Sequence, residues 1–472
     1  MSSISRRHLF RTAAAMPAAA LMSRSQAAET KASKPATSKE APAPLASLTL
    51  SPIQPGPPYL LAGPMLGHVG PDRAHMWVRA TAAAPWKVLL TESGAQTREI
   101  DGSSLKADAG LSGIVVIDGL KSGTSYTYQI VLDGREQLPL PLPSFTTAPE
   151  AGHACRQRIV FGSCVGQTTA AAAPTWAELA TRRAMSTGEG AFDVLLMLGD
   201  NHYGNTTEME KLRVYYTAHR LTAGWRDLSA QTPIYAIWDD HDYGPNNSDG
   251  TEAGKADSLK VFQEFWANPA CGEADNPGCY FTFTRGDVQF FMLDGRYHRS
   301  PNKAEDTRAK TMLGAKQLAW LKRELLASKA KVKLLANGSE WESYGSEDSW
   351  TPFKQERDPF LRWIDEQKID GVIFLSGDRH FSSGYHINGR FLELSAGPFG
   401  SKNSKLKANP ERFTGHDDGR LWGVLDIDTT VSPPRVAYEF WQAGHSMRER
   451  REISWAQLHG REKIERTEGY AL

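Results

Sequence analysis

The sequence predicts two folded units in series, an all-β sandwich followed by a larger α/β domain, and three observations carry that prediction. The length, 472 residues, exceeds what one ordinary hydrophobic core organises. Between Tyr59 and Thr147 apolar residues come in short β-type runs separated by Gly, Pro and Asp. Beyond Pro149, apolar runs alternate with segments of helical period and end in chemically active polar residues, as buried strands joined by helices do.

The chain opens with Ser5-Arg6-Arg7-His8-Leu9-Phe10-Arg11, then a weakly apolar, alanine-rich run from Thr12 to Met22 and small residues at Ser25-Gln26-Ala27. This resembles a twin-arginine export signal, which implies a signal peptide over 1–28, the twin-arginine machinery as a partner, and a periplasmic or secreted mature protein. Residues 29–58 are rich in Pro, Ala, Ser and Lys, carry no hydrophobic period, and read as a linker.

The sandwich is expected over 59–149. His75–Val78, Trp86–Leu90 and Gly113–Ile117 are candidate strands. Gly119 to Ile130 resembles the end of a fibronectin type III-like sandwich, in which a tyrosine near the start of a strand anchors a corner through its hydroxyl. Tyr126, Tyr128 and Ile130 alternate onto one face. No catalytic cluster falls in this domain, so packing and framing of the substrate entrance are its expected roles.

The α/β domain is expected over 150–440, with 441–472 as a C-terminal extension. Its strand-like runs are Ile159 to Cys164, Val194 to Asp200, Ile234 to Asp239, Phe290 to Asp294, Val332 to Asn337 and Val372 to Asp378. Helices are expected from Gly314 to Lys329, with Leu318, Leu321 and Leu325 on one face, and from Ala253 to Trp266. In such domains ligands bind beyond the carboxyl ends of the strands, which is where the polar motifs fall.

Composition narrows the function. Lys+Arg and Asp+Glu balance at 54 each, which argues against a general basic footprint for nucleic acid while leaving room for a local basic groove. No run approaches the roughly 18–20 apolar residues of a membrane span. Four cysteines do not make a disulfide scaffold in so long a chain, although Cys271 and Cys279 close a short polar loop and are the best candidate pair.

Four segments carry the chemistry: Phe161-Gly162-Ser163-Cys164, Leu198-Gly199-Asp200-Asn201-His202-Tyr203, Trp238-Asp239-Asp240-His241-Asp242 and Ser376-Gly377-Asp378-Arg379-His380. Each follows an apolar run, so all emerge on one rim. Several carboxylates, imidazoles and a thiolate gathered there repel one another unless cations are bound, and metal is the economical reading.

These segments resemble the alkaline phosphatase D (PhoD-like) family of calcineurin-type metallophosphoesterases, over roughly residues 60–440. The Gly-Asp-x-x-Tyr spacing of Asp200 and Tyr203 is also that of purple acid phosphatases. The resemblance implies a four-layer α+β catalytic sandwich and hydrolysis of phosphomonoesters, phosphodiesters or both by a metal-bridging hydroxide. It implies that Asp200 bridges two metals about 3.5 Å apart. Cys164, Tyr203 and His380 would complete the first metal, and Asp240 and Asp378 would hold the second. A further ligand would follow the strand Val332–Ala336, as either Asn337 or Glu340. His241 would contact the phosphoryl oxygens and help protonate the leaving group without binding metal. Thiolate and phenolate donors suit Fe3+, and the carboxylate-rich site suits Ca2+, the pair to which the family points, with Zn2+ or Mn2+ as the alternative.

Plainer readings stand beside these roles. Asp200 would cap a helix, Asp240 and Asp378 would be surface carboxylates, Tyr203 a packed aromatic, and Cys164 an inert thiol or a disulfide partner of Cys155. His202 and Asp242 read as orienting residues. Arg296, in Leu293-Asp294-Gly295-Arg296-Tyr297, would either hold a phosphate oxygen or pair with Asp294. The turn-rich segment 244–249 is a loop over the site or a surface excursion. Rival functions are a phospholipase D-like phosphodiesterase and an exported binding protein without metals.

Overall fold

The computed structural model describes residues 56–168, 170–185, 191–342, 346–444, 447–462 and 464–465. The expected signal peptide and nearly all of the linker lie outside these residues.

The first domain contains β1 (Leu60–Val69), β2 (Arg73–Ala80), β3 (Trp86–Glu92), β4 (Arg98–Asp101), β5 (Ser112–Asp118), β6 (Ser125–Leu132), β7 (Arg135–Glu136) and β8 (Ser144–Thr146). One sheet runs β1-β2-β5; the other runs β4-β3-β6-β7, with β8 paired to β6. Leu66, Met76, Val78, Val115 and Ile117 from the first sheet meet Val88, Leu90, Tyr128, Ile130 and Phe145 from the second in one core. The three expected strands lie within β2, β3 and β5. Tyr126 makes the expected corner, because its hydroxyl accepts the Lys121 N–H at 2.9 Å. The sandwich is tied to the next domain by main-chain and side-chain bonds. Trp77 Nε1 donates to the Glu264 carbonyl at 2.8 Å, Tyr128 Oη donates to Ala230 at 2.7 Å, and the Val69 N–H reaches Tyr235 Oη at 3.2 Å.

The second domain begins with β9 (Arg156–Gly162), α1 (Ala173–Ala184), β10 (Val194–Leu198), α2 (Met209–Arg220), α3 (Trp225–Ser229), β11 (Ile234–Ile237), α4 (Asp240–Tyr243) and α5 (Lys255–Phe265). It continues with β12 (Phe281–Arg285), β13 (Val288–Met292), α6 (Ala315–Ala327), β14 (Val332–Ala336), α7 (Lys354–Glu366), β15 (Val372–Ser376), β16 (Ser382–Ile387), β17 (Phe391–Ser395) and β18 (Arg412–His416). It closes with β19 (Leu421–Asp428), β20 (Arg435–Gln442), β21 (Met447–Ile453) and α8 (Trp455–Leu458).

Two sheets stack in this domain, ordered β11-β10-β9-β19-β20-β21 and β12-β13-β14-β15-β17-β16-β18. β9, β10 and β11 are mutually parallel, as are β13, β14, β15 and β17. The central core joins Ile159, Phe161, Leu195 and Met197 to Phe290, Leu334, Ile373 and Leu394. Trp176, Leu212, Trp225 and Phe265 from α1, α2, α3 and α5 belong to that core too. Leu321, Leu325, Phe360 and Ile364 from α6 and α7 pack with Phe291, Leu335 and Phe374 of the other sheet. The order is therefore helices, sheet, sheet, helices. Strands covered on both faces read as unbroken apolar runs, which is why β10, β14 and β15 are buried at every position.

Two expectations are corrected here. The boundary at residue 440 falls inside β20, and β21, expected as part of an extension, pairs antiparallel with β20 as the edge of the catalytic sheet. Its alternating charged residues, Arg448 to Glu452, suit a strand with one solvated face and hid it from a search for apolar runs. Cys271 and Cys279 are free thiols, as are Cys155 and Cys164. The 271–279 loop is closed instead by backbone bonds, from Gly272 N to Tyr280 O at 2.8 Å and between Glu273 and Asn276 at 3.0 and 3.1 Å.

Candidate metal centre

The four motifs leave the carboxyl ends of β9, β10, β11 and β15 and converge. Cys164 and Asp200 lie in adjacent turns, joined by bonds from Cys164 N to Gly199 O at 3.4 Å and from Val165 N to Asp200 O at 3.1 Å. Gly199 is required between them. Its φ is +95°, and a Cβ there would stand 2.5 Å from the Asp239 Cβ. Cys164, Asp200, Asp378 and His380 themselves have φ of 62°, 54°, 66° and 59°. Non-glycine residues seldom adopt this left-handed conformation, and such strain concentrates where side chains must be aimed.

Three overlapping groups offer ligand atoms within 4.8 Å of one another: Cys164, Asp200 and His380; Asp200, Asp240 and His241; Asp239, Asp240 and Asp378. Asp200 belongs to two of them, and Tyr203 joins the first, its hydroxyl 3.0 Å from both Asp200 Oδ2 and His380 Nε2. All of the expected first-site residues are thus together, and Asp240 and Asp378 lie together beside them. Asp239 carried no expected role; the repeated Asp in Trp-Asp-Asp-His-Asp was its one signal in the sequence. His241, expected as a phosphate contact and proton donor to the leaving group but not as a ligand, has a ring nitrogen as near to Asp200 and Asp240 as a ligand would be.

The protons do not suffice for this many acceptors. His380 Nδ1 lies 2.8 Å from the Lys402 carbonyl, which accepts its proton and leaves an Nε2 lone pair toward Tyr203. The Tyr203 hydroxyl has one proton for Asp200 and already accepts from Ser401 Oγ at 2.8 Å. Asp240 Oδ1 and Asp239 Oδ2 are buried without a hydrogen-bond partner. Burial, followed by the charges of Asp240, Asp239, Asp378 and Asp242, drives the Asp200 carboxyl well above its ordinary range. Burial and the nearby Asp348, Asp239 and Asp240 do the same to Asp378. The Cys164 thiol and the Tyr203 phenol are also pushed up, first by burial and then by Asp200. Asp240 goes the other way: burial opposes its ionisation, but His241 and Arg296 hold it below the usual range. Converging acceptors with too few protons are a donor set that fits cations.

Asp242 organises the rim. It accepts from the N–H groups of Asp239 at 2.8 Å, Asp200 at 3.2 Å and Asn201 at 3.2 Å, so it ties two motifs together. Its bond to Asp239 forms half of a capping box that starts α4. His202 instead lies between Tyr215 and Tyr216 of α2. The 244–249 loop is pinned to the site by Asn247 N donating to Asp240 Oδ2 at 2.7 Å. Of the two residues left open after β14, Glu340 receives the Tyr385 hydroxyl at 3.1 Å and pairs with Arg379 at 3.5 Å. Asn337 donates to Ser339 O at 2.9 Å and keeps a buried Oδ1 without a hydrogen-bond partner.

Arg296 requires a correction. Its guanidinium is fully buried, with Nε on Asp239 at 2.6 Å, Nη1 and Nη2 on Asp348 at 3.1 and 2.9 Å, and Nη2 on Ser339 Oγ at 3.3 Å. The remaining Nη1 proton goes to Ser248 O at 3.2 Å. Asp294 receives only the Arg296 backbone N–H, at 2.8 Å. Every donor is used inside the protein, so Arg296 serves Asp239 and neither expected alternative holds. No local pattern pointed to Asp348, which lies 52 residues away.

Comparison with known proteins agrees with this geometry. The sequence profile of the PhoD-like phosphatase family matches residues 183–419, and a domain of unknown function matches 57–150. Alkaline phosphatase D of Bacillus subtilis (strain 168) is 24% identical over 233 residues, an alignment that spans 42% of this chain and 40% of that protein. A solved structure of PhoD superposes with a TM-score of 0.64 at 18% identity, over 83% of this chain and 91% of that one. A purple acid phosphatase from yellow lupin (Lupinus luteus) seeds superposes with a TM-score of 0.63 at 13% identity, over 85% and 75%. The two structural likenesses show the shared fold, and the profile covers half of the sequence: the chain belongs to the PhoD-like phosphatase family.

Proposed function

We propose that this protein is a metal-dependent phosphoester hydrolase, exported by the twin-arginine route, that acts on phosphomonoesters, phosphodiesters or both. The observation that supports it best is the convergence of Cys164, Asp200, Tyr203 and His380 with more acceptor atoms than protons, continuous through Asp200 with Asp240 and Asp378. In this reading the first four residues hold one cation and Asp200, Asp240 and Asp378 hold the second, with Asn337 as its further ligand. Thiolate and phenolate donors favour ferric iron in the first site, and hard carboxylate oxygens favour calcium in the second. Cations held there supply Lewis acidity toward phosphoryl oxygens and water.

The protein's own groups do the rest. Asp200 lends one carboxylate to both sites. His241 turns Nε2 toward the cluster, 3.9 Å from Asp240 Oδ1, where it contacts a phosphoryl or leaving-group oxygen. Asp242 and the 244–249 loop hold the carboxylates in register.

The test is a panel of phosphomonoesters beside phosphodiesters, with metal content measured on the same sample. Turnover by protein containing iron and calcium is expected, together with a visible charge-transfer band that Tyr203→Phe shifts or bleaches. Colourless active protein containing zinc or manganese alone would overturn the metal assignment. Protein that carries its metals yet turns over no phosphoester of the panel would overturn the function.

A further inference from the structure

Asn205 lies five residues beyond Asp200, outside every motif quoted above, yet it grips His241 at two points. Its N–H donates to the His241 carbonyl at 3.1 Å, and its side-chain Oδ1 stands 2.6 Å from His241 Nδ1. We propose that Asn205 is a positioning residue that fixes His241 in a single tautomer and ring orientation, with Nε2 presented to the phosphoester; the proposal rests on the phosphoesterase reading above.

The orientation of the amide follows from its second bond. Asn205 Nδ2 donates to the Tyr203 carbonyl at 3.3 Å. Turning the amide over would set two oxygens against each other there, so Oδ1 is the atom that faces the imidazole. An amide oxygen only accepts, and His241 Nδ1 therefore carries the proton. That leaves Nε2 as the nitrogen facing Asp240. The ring plane is set separately, because Tyr203 stacks on His241 with centroids 4.1 Å apart and planes at 29°.

The residue type fits the place. The backbone of Asn205 has φ 49°, a left-handed conformation that asparagine tolerates better than most residues. An amide also supplies an acceptor without adding another negative charge beside Asp200 and Asp240, whose group includes His241. Tyr203 is tied to the first candidate site, so Asn205 and Tyr203 together couple the imidazole to that side of the centre.

The experiment compares Asn205→Leu, Asn205→Ala and Asn205→Asp in the metal-loaded enzyme, alone and with His241→Ala. Leu and Ala are expected to lower kcat by about 10- to 100-fold, the scale of a misplaced catalytic group, with KM within about threefold. Asp, which keeps the acceptor, should restore most of the rate. In the His241→Ala background the same changes should cost nothing further. Metal content should hold, the melting temperature should fall by only about a few degrees because Leu and Ala tolerate φ 49° less well than asparagine, and a crystal structure of Asn205→Leu should show the His241 ring turned. Additive losses, lost metal, or parental kcat in both Leu and Ala variants would overturn the proposal while leaving the phosphoesterase reading intact. Full activity of His241→Ala alone would remove the role assigned to His241, and this proposal with it.

Discussion

Replacing Arg296 by methionine removes a fully buried guanidinium of nearly matched length and leaves its partners in place. Asp348 is only partly deprived, since Arg299 Nη2 stays at 2.6 Å and Asn302 Nδ2 at 3.0 Å. Asp239 loses more. Its Oδ1 keeps only Ser339 Oγ at 3.4 Å among side chains, and its Oδ2 has no hydrogen-bond partner already. Burial lifts the Asp239 carboxyl to about 6 even with the Arg296 charge beside it. One buried carboxylate stripped of its cation costs about 3–5 kcal/mol. Urea unfolding of metal-loaded Arg296→Met should show a loss of that size, with KM for any phosphoester changed less than about threefold where the variant remains folded. Arg296→Lys keeps the charge but not the planar fork, so it should recover part of the stability. A loss below about 1 kcal/mol with KM raised tenfold would refute the reasoning and put the guanidinium on the substrate.

Asp200→Asn should reduce turnover below about a hundredth of the parent while circular dichroism stays unchanged, because both candidate sites share that carboxylate; higher residual activity would show that they do not. In chelated protein the native state binds protons that the unfolded chain releases, because Asp200 and Asp378 lie well above 3.8, Asp239 is near 6 and Asp242 near 7, each mainly through burial. Below about pH 6.5 the buried His68, His202 and His219, whose imidazoles burial keeps uncharged in the native state, act in the opposite sense. Above that pH they are neutral in both states, so stability should fall as pH rises from about 6.5 to 8, and cations should abolish the slope; chelated protein equally stable at about pH 6.5 and pH 8 would contradict this. Changing Arg6 and Arg7 together to lysine should strand the protein in the cytoplasm, as fractionation would show, and normal export would count against the twin-arginine assignment.

Much of the architecture was legible because burial imposes pattern. Strands such as Val194–Leu198 and Val372–Ser376, covered on both faces, leave continuous apolar runs, and the residues just beyond them must be those that face ligands. Helix α7 was not legible: its sequence carries Pro359 and many charges, and its burial is decided by the sheet it covers. Strand β21 was missed for a similar reason, since charged residues on an edge leave no apolar run.

Within the site, the sequence by itself determined which side chains can act as donors, through motif spacing and the step from strand to turn. Only the tertiary structure decided their partners, because partners are set by distances between turns far apart in the chain. Arg296 illustrates this, two residues from Asp294 in sequence but bonded through its guanidinium to Asp239 and Asp348. So does the pair of Asn205 and His241, separated by 36 residues and joined at 2.6 Å. Local sequence constrains backbone conformation and burial, whereas the proton a buried imidazole keeps depends on whichever acceptor the fold sets against it.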